Sequence, residues 1–436
     1  MAVLSHAAES EQAEARSYAR PLWFVALVVA ICFEGLGRKF LRSIPNTLFY
    51  FLKDIVLLAG ILKWGFSRDL AEVARKAYAP FGIVLILAMI WTWLEVFNPG
   101  HFGLDLALLG FRAYWFWWLA PFVIANVISS RRDRAIASAT MAVAAVLVAA
   151  YAAAQFASPP SAPINAYADT QDRAMDVAVV ATTGRARVSA TFSYISGFAD
   201  FVIIVPSLVL ALGLGAEGPV TKLLALAGAA ASAAVMPMTG SRSPVVIGGV
   251  ALLIVAVSAD FLKTRAGRRM AFAAVLVFLA GAFAAPDAVQ GVQDRFQSHD
   301  TGKRVSTELE ILPFYAMNQY EYPALGQGTG MQQNMRMALQ PGWRWEVESE
   351  TGRILFELGS IGYLLHWIAR LGLLVALVRL GRELKLRGDG ATAGAAFALA
   401  FLAFHGGLAI DHVYQSLFFT GCGLVLGALN VPRAQT

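Results

Sequence analysis

The stretch MTGSRSPVV, residues 238–246, places an arginine on a short Gly-Ser turn between two apolar runs, residues 220–237 and 243–262. Each run is long enough for a helix to cross about 30 Å of hydrocarbon at about 1.5 Å per residue. A polar turn between two such runs is typical of a helical hairpin in a membrane, because backbone groups in lipid must be satisfied within each helix. Similar apolar runs recur along the chain, and together they predict a bundle of membrane-spanning helices.

Composition places the whole chain in lipid. Hydrophobic residues make up 58% of the 436 residues and charged residues 15%, whereas soluble domains carry about 25% charged residues. We predict an all-α integral membrane protein of about twelve transmembrane helices, at residues 20–36, 44–64, 78–97, 104–128, 135–156, 191–214, 220–237, 243–262, 269–285, 353–378, 389–408 and 411–429. Residues 1–19 are polar and lack a basic n-region, so we expect the first span to direct insertion without cleavage.

The basic residues predict the orientation. With a cytoplasmic N-terminus, the inside loops contain Arg68, Arg75, Lys76, Arg131, Arg132, Arg134, Lys263, Arg265, Arg268, Arg269, Arg382, Lys385 and Arg387. This excess of cations satisfies the positive-inside rule. The same orientation makes residues 1–19 a cytoplasmic tail and puts a smaller loop, 157–190, and a large loop, 286–352, on the outer side. Residues 353–436 then form spans ten to twelve and a short cytoplasmic tail.

Other function classes find little support. Cys32 and Cys422 fall inside apolar spans, where cysteine behaves as a small hydrophobe, so we expect neither a disulfide framework nor a zinc site. The net charge of +6 reports topology in so apolar a chain, and we expect no nucleic-acid partner. The histidines lack ligand spacing, so we expect no metal and no cofactor. His405 and His412 lie near the last outer turn, where they line a cavity or pack between helices.

Two cations lie inside predicted spans. An ionisable residue at the centre of a span costs at least about 2.5 kcal/mol on insertion scales, so it tends to face a partner or a wet cavity. Lys53 follows this rule through an ion pair with Asp54 or by supporting a binding site. Arg112, in GFRAYWFWW, either snorkels towards the outer face beside aromatic residues or supports a binding site.

Several arginines lie on the predicted outer side, against the positive-inside rule. Arg187 is in GRARVSATF (184–192), Arg242 ends the turn TGSR (239–242) and Arg304 is in the large loop. Arginine forms bidentate, charge-assisted hydrogen bonds with phosphate oxygens, so we predict a diphosphate-binding set. Contact with lipid phosphate is the alternative for Arg242. Ser241 is placed to cap the helix that follows the turn.

The stretch WRWEVESETGRILFELG, residues 343–359, supplies the candidate base. Glu350, Arg353 and Glu357 have helical spacing, which predicts that the chain enters the tenth span near Glu350. A carboxylate beside arginines is suited to accept a proton from a hydroxyl, so Glu348 and Glu350 are the candidates and Arg353 a supporting residue. Salt bridges that order the loop are the alternative.

The stretch PALGQGTG, residues 323–330, supplies Gly326, Gly328 and Gly330. It lacks the strand-turn-helix context of a nucleotide fingerprint. We therefore predict a backbone turn close to the ligand.

The order of these features resembles the O-antigen ligase and polymerase family of bacterial polytopic membrane glycosyltransferases. The resemblance covers nearly the whole chain and rests on Lys53-Asp54, FRAYW (111–115), RVSATF (187–192), TGSR (239–242), PALGQGTG (323–330) and ETGRILFELGSIGYLL (350–365). It implies transfer of a glycan from an undecaprenyl-diphosphate carrier to an acceptor hydroxyl on the periplasmic face of the inner membrane. By position, Arg187 and Arg242 match the family's diphosphate-binding arginines.

The two branches of the family differ in the large loop. Ligases carry a histidine shortly before the ELG segment, a place that corresponds to Glu348, and no histidine is close here. The resemblance therefore favours a polymerase of exopolysaccharide or O-antigen repeat units over a ligase that uses lipid A-core. It implies lipid-linked oligosaccharides as donor and acceptor, membrane lipids as surroundings, and a chain-length regulator as a further partner.

We expect an inverting, metal-independent transfer, in which arginines take the place of a divalent cation at the diphosphate. A transporter or flippase for lipid-linked sugars is the main rival, although the inverted repeats of many transporters are not evident. A non-catalytic assembly partner is least favoured, since it leaves the outer arginines without a role.

Overall fold

The structure of the chain is a computed structural model. It describes residues 2–41, 44–65, 81–100, 103–128, 130–168, 177–180, 183–216, 218–260, 285–297, 324–332, 349–409 and 411–430, with residues 263, 265, 268, 283 and 336 between them. The described residues form helices and no strand, apart from an isolated bridge between Val179 and Ala186. The predicted all-α class is confirmed.

Thirteen α-helices are described. They are α1 (Ala2–Phe40), α2 (Asn46–Trp64), α3 (Gly82–Glu95), α4 (Leu104–Trp115), α5 (Ala120–Val127), α6 (Arg131–Ala157), α7 (Ile195–Leu214), α8 (Pro219–Ala234), α9 (Arg242–Ser258), α10 (Pro286–Gln297), α11 (Glu350–Leu386), α12 (Gly390–His405) and α13 (His412–Gly427). A 3₁₀ turn, Phe116–Leu119, joins α4 to α5. The run predicted as one span at 104–128 is therefore helical in three parts.

Five helical stretches in the described part are long and apolar enough to cross a membrane: Ala19–Phe40, Leu104–Val127, Arg131–Ala157, Ile195–Leu214 and Glu350–Leu386. Four shorter apolar helices accompany them: Gly82–Glu95, Pro219–Ala234, Arg242–Ser258 and Gly390–His405. These helices support a membrane protein, while the count of about twelve spans stays a prediction. Most of the predicted ninth span and of the large loop lies outside the described residues.

Side-chain contacts gather the predicted inside loops at one end of the bundle. Arg134 Nη2, at the start of α6, donates to Asp389 Oδ2 at 3.1 Å and to Thr392 Oγ1 at 2.9 Å, at the start of α12. Arg387 Nη1 donates to the carbonyl of Leu429 at 3.1 Å, beyond the end of α13. We call the opposite end of the bundle the outer end. It contains the C-terminus of α1, the TGSR turn and the α12–α13 turn.

Helix α11 bends sharply at Gly359, where φ is 66° and ψ is −177°. Glu350 and Arg370 are 20 residues apart, yet Arg370 Nη2 donates to Glu350 Oε2 at 2.8 Å. In a straight helix these residues would be about 30 Å apart. The first two turns of α11 therefore fold back along the rest. The helix begins at Glu350, as predicted, and the reversal at Gly359 is a feature that the helical spacing did not indicate.

We predict that Gly359→Ala lowers the stability of the protein. The backbone at Gly359 has a positive φ, and a Cβ there would meet the backbone of Ala324 and Leu325. Strain of this kind costs about 1–3 kcal/mol, so the thermal unfolding midpoint in detergent should fall. Gly249→Ala is the matched control, since Gly249 lies within α9 with open space around its Cβ position. Equal midpoints for the two variants would contradict this account of the bend.

Candidate anion-binding site

Three cationic side chains surround the ring of Tyr50 at the outer end. The Cζ atoms of Arg38 and Arg112 lie 5.6 Å and 5.1 Å from the ring centroid. The Nζ atom of Lys53 lies 5.5 Å from it. These distances are within the range of about 6 Å for attraction between a cation and a ring face. Lys39 follows Arg38 in α1 and binds the same segment, 189–193, so we count it with these residues as the cationic cluster.

Two carboxylates neutralise part of the cationic cluster. Lys53 Nζ donates to Glu34 Oε2 at 2.6 Å, and both side chains are almost fully buried. Asp54 accepts from Arg112 Nη2 and from Trp117 Nε1 at 3.0 Å. The predicted pair of Lys53 with Asp54 is wrong, because adjacent residues on a helix face different neighbours. Arg112 has a side chain only 15% exposed and is held inside the bundle.

Arg38 and Lys39 have hydrogen bonds only to neutral oxygens. Arg38 Nη1 donates to Ser193 Oγ at 2.9 Å, and Lys39 Nζ donates to Ser189 Oγ at 2.8 Å and to the carbonyl of Ala190 at 2.9 Å. Neither cation forms an ion pair with a described residue, and the Nε atom of Arg38 is buried without a hydrogen-bond partner in the described part of the chain.

Among the described residues, Glu34 is close enough to Arg38 to attract it but is already paired with Lys53, so these two cations have no carboxylate of their own. The C-terminus of α1 offers about half a negative charge through the helix dipole, which is less than two cations need. Lys39 is only 5% exposed, and a buried charge without a counter-charge is costly. The cationic cluster is thus suited to bind an anion.

The segment 187–193 connects the cationic cluster to the TGSR turn. Arg187 Nη2 donates to Ser241 Oγ at 2.8 Å, and Arg187 Nε donates to the carbonyl of Thr239 at 3.3 Å. Arg187 therefore lies against the turn from which Arg242 begins α9. Ser241 is the N-cap residue, as predicted, but its side chain accepts from Arg187 and makes no capping hydrogen bond.

The same segment has a strained backbone. Ala190 is fully buried with φ of 48°, a conformation that costs a residue with a side chain about 1–3 kcal/mol. Thr191 Oγ1 donates to the carbonyl of Cys32 at 2.5 Å, and a Cβ on Gly35 would meet the backbone of residues 191–193. Close packing on α1 thus holds Ser189 and Ala190 against Lys39.

Tyr167 supports this segment from the smaller outer loop. Its hydroxyl donates to the carbonyl of Arg187 at 2.8 Å. Burial raises the pKa of Tyr167 to about 12, so the hydroxyl stays protonated at neutral pH and remains a donor. The backbone next to the Arg187 side chain is therefore fixed.

The three predicted glycines form a turn that packs on protein. Gly326 N donates to Glu95 Oε1 at 3.2 Å, and Gly328 N donates to the carbonyl of Glu357 at 3.1 Å. Gly330 has φ of 85°, and a Cβ there would meet the backbone of Leu106. The turn lies between α3, α4 and the start of α11. Its described contacts are with these helices, so the glycines shape the fold there.

The predicted base Glu350 is engaged inside the bundle. Its Oε2 atom binds Arg370, and its Oε1 atom accepts from the backbone N–H of Ala409 at 2.5 Å. The alternative of an ordering salt bridge describes it better than a free base. Arg353 Nη1 donates to the carbonyl of Gln332 at 3.3 Å and is mostly buried. The other predicted site residues, Glu348 and Arg304, lie outside the described residues.

Sequence reasoning missed Glu34, Arg38, Lys39 and Tyr50. The signal was present in GRKF, residues 37–40, since an Arg-Lys pair at the outer end of the first span opposes the positive-inside rule. Glu34 and Arg38 also have the spacing of neighbours on one helix face. In the described part of the chain, no group of three or more His, Cys, Asp and Glu side chains is placed to hold a metal ion.

Comparison of the sequence with models of known protein families finds no match, and comparison with curated proteins finds none. The resemblance to the ligase and polymerase family therefore rests on the short motifs and their order.

We predict that Glu34→Leu is strongly destabilising, because it leaves Lys53 buried without its partner. Breaking a buried pair on one side costs about 3–5 kcal/mol. The double variant Glu34→Leu/Lys53→Met removes both charges and should recover most of the loss. Thermal unfolding of the single and double variants in detergent measures the difference. A single variant as stable as the wild type would show that the pair contributes nothing to the fold.

Proposed function

We propose that the chain is a membrane glycosyltransferase that joins oligosaccharide repeat units carried on a polyprenyl diphosphate. The charge balance of the cationic cluster carries this proposal. Its four cations face two carboxylates, Glu34 and Asp54, which leaves two positive charges. A diphosphate that links a lipid to a sugar is a diester with two negative charges. Its headgroup would neutralise the cluster.

The neighbourhood of the cluster supports a ligand larger than one phosphate. Ser189, which binds Lys39, is two residues from Arg187, which lies on the TGSR turn. Guanidinium groups match phosphate oxygens in geometry as well as in charge. We place the diphosphate at the cationic cluster, with Arg187 and Arg242 as further donors to its oxygens.

This arrangement suits glycosyl transfer. The acceptor oxygen attacks the anomeric carbon, the bond from that carbon to the phosphate oxygen breaks, and the diphosphate leaves with the electron pair. Fixed cations stabilise the charge that develops on the leaving group. We favour a polymerase over a ligase, because the ligases of the resembling family have a histidine where this chain has Glu348. The sugars would be joined at the predicted periplasmic face of the inner membrane.

We predict that Arg242→Ala and Arg187→Ala each lower the rate of glycan elongation by about 10²-fold or more, as loss of one fixed donor to a leaving oxyanion does elsewhere. The assay uses purified protein with a polyprenyl-diphosphate oligosaccharide in EDTA and follows product length by gel electrophoresis. Arg185→Ala is the matched control. Arg185 is on the same loop, but it pairs with Asp287 at 2.8 Å on an exposed surface, so its loss should leave elongation unchanged.

Each alternative has its own outcome in this assay. Elongation by the wild type with only lipid-linked oligosaccharide present supports a polymerase. Product that forms only when lipid A-core is added identifies a ligase. Movement of the donor across a vesicle membrane without a new glycosidic bond identifies a flippase and overturns the proposal, as does normal elongation by Arg242→Ala.

A further inference from the structure

His412 is the first residue of α13 and lies at the edge of the cationic cluster. Its ring centroid is 5.7 Å from that of Tyr50, with the two rings at 80° to each other. The same Tyr50 ring is surrounded by Arg38, Lys53 and Arg112. His412 is partly exposed as a residue, and we infer that a substrate at the cluster can reach its ring.

Four described carboxylates near this site already hold other groups, and Asp411 is one of them, since it accepts from the backbone N–H groups of Val413 and Tyr414 at the start of α13. Glu34 binds Lys53, Asp54 binds Arg112 and Trp117, and Glu350 binds Arg370 and the backbone of α12–α13. A carboxylate that neutralises a buried cation is a poor proton acceptor, because protonation would break the ion pair. His412 has no ion pair with a described residue. Lys53 and Arg112 on the same Tyr50 ring oppose a positive charge on its imidazole, and a bound diphosphate would offset them.

Gln415 is placed to orient the imidazole. It lies one turn further along α13 and is fully buried. Its Nε2 atom donates to the carbonyls of Ala113 at 2.5 Å and Leu408 at 2.6 Å. Its amide oxygen is buried without a hydrogen-bond partner in the described part of the chain, so it is available to a donor on His412, one turn away on the same helix.

We infer that this amide oxygen selects the tautomer of His412. A ring N–H directed at the amide oxygen of Gln415 leaves the lone pair on the second nitrogen of His412 to accept a proton. A base held by a third group is the arrangement expected for proton transfer at an active site.

We propose that His412 is the general base of the transfer and that Gln415 positions it, an inference that rests on the proposed function. The acceptor hydroxyl gives its proton to the imidazole nitrogen while its oxygen forms the bond to the anomeric carbon. The bond from that carbon to the diphosphate breaks, and the electron pair leaves with the diphosphate. The imidazolium then releases the proton to water.

The test compares turnover with donor binding in His412→Ala and His412→Gln. Elongation should fall by about 10²–10⁴-fold, the range for loss of a general base, while the affinity for a polyprenyl-diphosphate oligosaccharide changes less than about twofold. Added imidazole should restore part of the rate of His412→Ala and none of the rate of Arg242→Ala. His405→Ala is the matched control, because His405 ends α12 and packs on Phe401.

The positioning role of Gln415 needs a separate variant pair. Gln415→Leu removes the amide oxygen, so elongation should fall with donor affinity kept. Gln415→Asn keeps an amide with both an oxygen and an N–H group and should preserve more of the rate than Gln415→Leu. Equal rates for the two variants would overturn the role of Gln415.

The remaining outcomes separate this inference from the proposed function. If the wild type is active and His412→Ala is equally active, the role of His412 as the base is overturned and the proposed function stands. If His412→Ala loses donor affinity and rate together and imidazole restores neither, His412 serves only to pack against Tyr50. That result also overturns its role as the base. A folded wild type that forms no glycosidic bond with any lipid-linked donor overturns the proposed function first.

Discussion

The cost of an uncompensated charge in an apolar bundle governs this structure. Lys53 with Glu34 links α2 to α1, Arg112 with Asp54 links α4 to α2, and Arg370 with Glu350 joins the two parts of α11. Removing one partner of such a pair leaves a buried charge, which is far more costly than the small net gain of the pair itself. These pairs therefore specify which helices are neighbours more than they add to stability.

The same requirement applies to backbone groups and explains the bent start of α11. The turn that contains Gly326 and Gly328 lies among helices, where irregular backbone persists only when protein satisfies its N–H and C=O groups. Glu95 and the carbonyls of Phe356 and Glu357 accept these N–H groups. The reversal at Gly359 brings those carbonyls to the turn, so the kink and the glycine segment depend on each other.

The sequence predicts some of these features well and others poorly. Runs of apolar residues place α2 and α6 within a few residues, because length and polarity are local properties. The pairing of Lys53 with Glu34 is not predicted, because a helix pattern gives the direction of a side chain but not which helix it meets. Gly359 lies in a run that continues the helical pattern on both sides, so the bend has no periodic signature. Arg38 and Lys39 were overlooked because the predicted span ended before them.

The proposed site lies where the described part of the chain departs from this rule for cations. Arg38 and Lys39 are not matched by described carboxylates, and the segment that meets them carries the strained Ala190. Departures from good local energetics are expected where function requires them. A dianion that binds the folded protein and not the unfolded chain stabilises it by mass action. Such a ligand would supply at the cationic cluster the charge balance that ion pairs between helices supply elsewhere.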